Sequence, residues 1–143
     1  MIPGRGKGEG GWVALVAALA LAACGRGPAA HVHITEPAEG ATATGPAVRV
    51  VLQADGIEIA PAAEERAGTA HHHLFLDTDV TPLDDTIPAG VTGIIHLGRA
   101  QTEFTFDSLS PGEHRVIAVL ADAWHVPIKG AGTDTLRFTV TVP

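Results

Sequence analysis

Cysteine occurs once in this chain of 143 residues, at Cys24. That excludes a disulfide framework and any zinc module built on cysteine pairs. Tyrosine is absent, aromatic residues make up 4%, and the single methionine is Met1. A core must therefore come from Val, Ile, Leu and Ala with four Phe, and the lack of internal methionine argues against a thioether copper(I) site. Lys and Arg number 9 against 16 Asp and Glu, a formal net charge of -7. So few cations cannot neutralise a phosphate backbone, which argues against nucleic acid as a partner. Nucleophiles are as scarce. Beyond Cys24 the chain has only Ser108, Ser110 and Lys129 to offer besides its threonines. Both serines lie in a turn before Pro111, not in a nucleophile elbow. The reading is a protein that is not an enzyme.

What is abundant is glycine (17), proline (10) and histidine (8). The first two imply many turns, and the third needs a chemical reason in so small an acidic chain.

The N-terminal segment reads as an address. Arg5 and Lys7 precede an uncharged run from Trp12 to Ala22, 11 residues long. A helix spanning a bilayer needs about 20, whereas a signal-peptide core needs about 7–15. The run ends in Leu21-Ala22-Ala23-Cys24-Gly25, which resembles the lipobox of bacterial lipoproteins. The resemblance implies residues 1–23 as signal peptide, lipid on Cys24, residues 24–30 as a tether reaching roughly 20 Å, and a domain over 31–143. The alternative, a secretory signal cut near Ala30, meets Pro28 where a small residue is wanted. Loss of Arg5, Lys7 and Glu9 would leave the mature chain at -8. The expected location is the cell envelope, facing the periplasm, with the membrane as partner through the lipid. Gly25, rather than Asp, after the cysteine resembles outer-membrane sorting.

After Cys24 no stretch sustains a helical period. Apolar alternation recurs instead at His31–Ile34, Val48–Gln53, His71–Asp77, Gly93–Leu97, Thr102–Phe106, His114–Ala121 and Leu136–Val142. About seven short strands predict an all-β, immunoglobulin-like antiparallel sandwich. The connections 55–70 and 78–92 are long and polar, as functional loops tend to be. Asp77, Asp79, Asp84 and Asp85 lack the glycine and terminal glutamate of an EF-hand loop.

The histidines carry the strongest chemical signal. On a strand, His71 and His73 share one face, while His72 turns the other way with Leu74 and Leu76. Imidazole suits copper and zinc, and two imidazoles at i and i+2 can grip an ion from one side. The expected site is His73, His96, His114 and His125, with Asp122 as orienter or oxygen ligand. His71, His72 and Asp77 are further candidates, and copper is placed before zinc. No spacing matches a zinc finger or a metalloprotease helix. The competing reading is a non-catalytic structural or interaction module of the envelope, in which the same histidines form a buried hydrogen-bond network and a protein partner is met at the surface.

Four blocks carry a family resemblance: Gly68–Asp77 with its three consecutive histidines, His96-Leu97-Gly98 followed by Gln101-Thr102-Glu103, Pro111–His114, and Ala121–Pro127. Together they resemble the bacterial domain of unknown function 4399. That resemblance implies an exported or lipid-anchored envelope protein and supplies no activity. Ile128 stands where members often carry a second histidine, which lowers the ligand count of that loop, and Ala100 replaces a usual glycine. His31-Val32-His33, Pro37–Gly40 and His125-Val126-Pro127 also resemble the periplasmic copper-resistance CopC family. That family uses a free N-terminal amine, which lipid on Cys24 would deny to this chain.

Overall fold

The computed structural model describes residues 29–143. The expected signal peptide and Cys24 lie outside the described residues. Nine strands follow in order: β1 His31–Glu36, β2 Ala41–Thr44, β3 Val48–Asp55, β4 Glu58–Ile59, β5 Thr69–Leu76, β6 Ile94–Leu97, β7 Glu103–Phe106, β8 Gly112–Ala121 and β9 Thr133–Thr141. They form two sheets. The smaller is β1-β3-β7; the larger is β2-β9-β8-β5-β4, with β6 also paired to β5. The chain leaves the first sheet after β1, turns at residues 36–40, and joins the second as β2, parallel to β9. The other pairings are antiparallel apart from the two-residue β4–β5 contact. This is an immunoglobulin-like β-sandwich.

The expected strands are all present, and two more were not legible. β2 is only Ala and Thr, so no apolar alternation marks it. β4 has two residues inside a connection that reads as polar.

Period two explains the core. Val48, Val50 and Leu52 of β3 face Val116, Ala118 and Leu120 of β8 and Leu136, Phe138 and Val140 of β9, all buried. Removing these aliphatic groups from water supplies the main driving force, about 25 cal/mol per Å². β5 contributes Ala70 and Leu74 to the same layer. The opposite face of β5 and β8 is buried as well. There Phe75, Ile117, Val119 and Ala121 pack under Ile87 and Val80 from the 78–92 connection. A sheet face that would otherwise meet water is thus roofed by a loop, and the histidines lie at its margin.

Candidate metal centre

β5 is buried along nearly its whole length, so three consecutive histidines sit in the interior. His72 points into the sandwich. It is fully buried, and its Nδ1 lies 3.1 Å from the carbonyl of Gln101. A carbonyl only accepts, so Nδ1 carries the hydrogen and Nε2 is left without a partner. Burial pushes its pKa down against the pull of that hydrogen bond. It is a neutral core histidine, as its phase with Leu74 predicts.

His71 and His73 project from the other face, each nearly inaccessible to solvent. His73 lies directly opposite His96 of β6 in the antiparallel register, which places both on one side of the sheet. The fourth member comes from the turn after β8. Asp122 Oδ1 accepts hydrogen bonds from the amides of Trp124 (2.9 Å) and Val126 (3.0 Å). The amide of His125 donates to the Asp122 carbonyl at 2.9 Å. That turn holds His125 at φ +63°, a left-handed conformation uncommon for a residue with a side chain. The imidazole is thereby brought back over β5.

The four side chains meet. One ring nitrogen from each of His71, His73, His96 and His125 lies within 4.8 Å of all the others. His71 Nε2 and His73 Nε2 are 3.0 Å apart, and His96 Nε2 and His125 Nε2 are 3.3 Å apart. The six ring-centroid distances run only from 4.8 to 5.5 Å. Four points with six nearly equal separations form a near-regular tetrahedron. An ion with metal–nitrogen bonds of about 2.0–2.1 Å sets nitrogen–nitrogen edges of about 3.3 Å and ring-centre edges of about 5 Å. The ring centres stand at that spacing, and the His96–His125 nitrogens at 3.3 Å match the nitrogen edge, while the four nitrogens together spread to 4.8 Å and would draw inward around an ion.

The electrostatics favour the neutral form of three of the rings. Burial first, then the imidazoles of His96 and His125, lower the His71 pKa to about 4. Burial and then His71, His96 and His125 lower that of His73 to about 3. His96 is lowered too, by burial and His125. Neutral imidazole is the ligand form, so near neutral pH protons compete weakly for these nitrogens.

Gly98 makes room for the cluster. A Cβ there would stand 2.3 Å from His96 Cε1 and 2.6 Å from its Nε2. A cleft of about 410 Å³, walled by residues 86–90 and Ile94, opens onto His73, His96 and His125. The Ile87 amide donates to the His125 carbonyl at 2.9 Å, tying the roof of the cleft to one imidazole.

Three of the four histidines expected at the site, His73, His96 and His125, thus lie together. His71 completes the group, and His114 stands apart. On β8, His114 pairs with Phe138 while Ala121 pairs with His71, a separation of about 20 Å along the strand. Its Nδ1 donates to Asp77 Oδ2 at 2.7 Å and its Nε2 to the Ser110 carbonyl at 2.8 Å. Burial opposes charge there, but the Ser110 carbonyl and Asp77 carboxylate outweigh it and raise the pKa. Asp77 is occupied as well, because its Oδ1 accepts from the Arg115 amide at 2.8 Å. A larger hollow of about 510 Å³ surrounds this pair, but its histidine has both nitrogens engaged. Asp122 shapes the turn through backbone amides instead of orienting the His125 ring. Period-two spacing pairs His71 with His73; nothing in the sequence marks Gly98 as a cradle.

No curated protein matches the sequence. Among solved structures, an engineered protein superposes with a TM-score of 0.47 at 14% identity, covering 78% of this chain and 20% of its own. The chain thus spans about one fifth of that protein's length. Fibronectin(III)-like modules of CbhA from Clostridium thermocellum give a TM-score of 0.46 at 15% identity, covering 78% of this chain and 97% of theirs. Residues 50–141, which contain all four clustered histidines, match the family described as "Domain of unknown function (DUF4399)", and the chain belongs to that family.

Proposed function

We propose that this protein is a non-catalytic envelope lipoprotein, anchored through Cys24, whose sandwich domain binds a transition-metal ion, copper or zinc, through His71, His73, His96 and His125. The observation that carries this reading is the near-regular tetrahedron of four imidazoles from three separate segments. Four imidazole nitrogens lie within 4.8 Å of one another, those of His71 and His73 on buried rings, close enough for one ion to draw together. An ion satisfies all four at once. The anchor is supported by the order of cationic segment, apolar run and cysteine in residues 5–24. A short tether then holds the domain near the membrane, outer membrane first.

The second reading, a structural or interaction module, draws support from the two nitrogen–nitrogen contacts, which can close as N–H···N hydrogen bonds without an ion. Thermal melts of the apo-protein with added copper(II) or zinc(II) separate the two. A ligand binding only the native state adds about 2.7 kcal/mol at one hundred times its Kd, roughly 10 °C for a domain of this size. No stabilisation by either ion well above micromolar concentration favours the interaction module.

A further inference from the structure

We propose that the four-imidazole cage selects a tetrahedral d10 ion, zinc(II) or copper(I), and denies copper(II) the flattened arrangement it prefers. The inference rests on the metal-binding reading above and concerns which ion the site accepts.

The ring spacing distinguishes the geometries. Four imidazoles in a tetragonal plane around one ion would put neighbouring rings about 4.5 Å apart and opposite rings about 6.3 Å apart, the arrangement suited to copper(II). No pair here approaches the longer distance. The widest, His73 and His125, is at 5.5 Å, and the narrowest, His96 and His125, is at 4.8 Å. Two long diagonals are missing, so the set is tetrahedral.

The supports of the four residues oppose flattening. His71 and His73 are two apart on β5, which is paired on one side with β8 and on the other with β6. Their separation is therefore a property of the sheet. His96 is held opposite His73 by the same register. Its ring lies against Gly98, in space that a Cβ there would fill. His125 is fixed by a turn whose amides are taken up by Asp122, and its carbonyl holds the Ile87 amide. Spreading the rings into a plane would have to turn the buried rings of His71 and His73 out of their packed positions. An ion with no ligand-field preference for a plane needs no such change.

The donor set is all imidazole, without sulfur. Softness alone therefore does not force copper(I), and both d10 ions share the chemistry.

The experiment uses the full chain in detergent. Cobalt(II) serves as a spectroscopic probe, because tetrahedral cobalt(II) absorbs strongly in the visible and octahedral cobalt(II) weakly. Competition against chromophoric chelators then ranks zinc(II), copper(II) and, under reductant, copper(I). The expected result is a tetrahedral cobalt(II) spectrum, retained in His114→Ala and, in the exposed-site variant His96→Ala, shifted in its bands and reached only at much higher cobalt concentration. The copper(II) advantage over zinc(II), normally large, should shrink to about tenfold or less. The copper(I) and zinc(II) arms identify which d10 ion binds more tightly. Weak octahedral bands, or copper(II) held more than about a hundredfold tighter than zinc(II), overturn the inference while metal binding stands. Failure of every ion to bind overturns the proposed function and this inference together.

Discussion

His73 and His96 lie directly opposite each other across the β5–β6 pair, with ring centres 5.0 Å apart and planes inclined by only 27°. Sheet register, not loop placement, brings these two imidazoles together. His73 is nearly inaccessible while His96 is exposed, so the pair joins the interior to the solvent and gives the site one replaceable ligand.

That asymmetry separates ligand loss from fold loss. His96→Ala should weaken zinc or copper binding by at least about a hundredfold and change the apo melting temperature little, since surface substitutions usually stay within about 0.5 kcal/mol. His114→Ala should do the reverse. It strands the Asp77 carboxylate and the Ser110 carbonyl, at a cost of about 1–3 kcal/mol, and leaves metal affinity unchanged. Calorimetric titration and melting of both variants give the comparison.

Gly98→Ala tests the cradle. The added Cβ overlaps the His96 ring, so the imidazole must swing away from its three partners. Metal affinity should fall nearly as far as in His96→Ala, although every ligand is still present. Unchanged affinity would show that the ring has another place to stand.

Asp122→Ala removes the acceptor for the Trp124 and Val126 amides. Loss of these bonds should cost about 1–3 kcal/mol and release His125 from its left-handed backbone. Asp122→Asn, which keeps an acceptor oxygen, should recover most of both stability and binding. If the alanine variant binds as tightly as the wild type, the turn does not position His125.

The apo-protein should be most stable near pH 6.5. His71 and His73 titrate at about 4 and about 3 in the fold, against 6.5 as the reference value. The unfolded chain therefore binds protons that the native state refuses, and stability falls as pH drops from 6.5 toward 4. His114 has the opposite sign. Its pKa is raised, so its contribution is present below 6.5 and is lost as pH rises through its folded value. Melting curves from pH 4 to 8 should show both limbs, and His114→Ala should remove the contribution to the alkaline one. An equal decline above pH 6.5 in both proteins would assign that limb to another group.

Cys24→Ser tests the anchor. Growth with a labelled fatty acid should mark the wild type and not the variant, and the variant should move from the membrane to the soluble fraction. Equal labelling of both would reject the lipobox reading.

Much of the fold was legible because strand periodicity is local. Val48, Val50 and Leu52, or Leu136, Phe138 and Val140, declare their buried face without reference to any partner. The same phase put His72 in the core and His71 with His73 on the other face. β2 stayed hidden because its Ala–Thr alternation has too little hydrophobic contrast, and only its parallel pairing with β9 defines it.

The sequence by itself determined the histidine count, the absence of sulfur ligands beyond Met1 and Cys24, and which face of β5 each imidazole occupies. It could not decide which histidines meet. His114 and His125 both adjoin the central strand in sequence, yet β8 carries them to opposite ends of the sheet. His96 reaches His73 only through the β5–β6 register, and His125 only through a left-handed turn built on Asp122. Register and turn geometry are set by contacts between distant segments, so convergence is a property of the tertiary structure. Residues 71, 73, 96 and 125 become one tetrahedron because the sheet fixes three of their positions and the turn fixes the fourth.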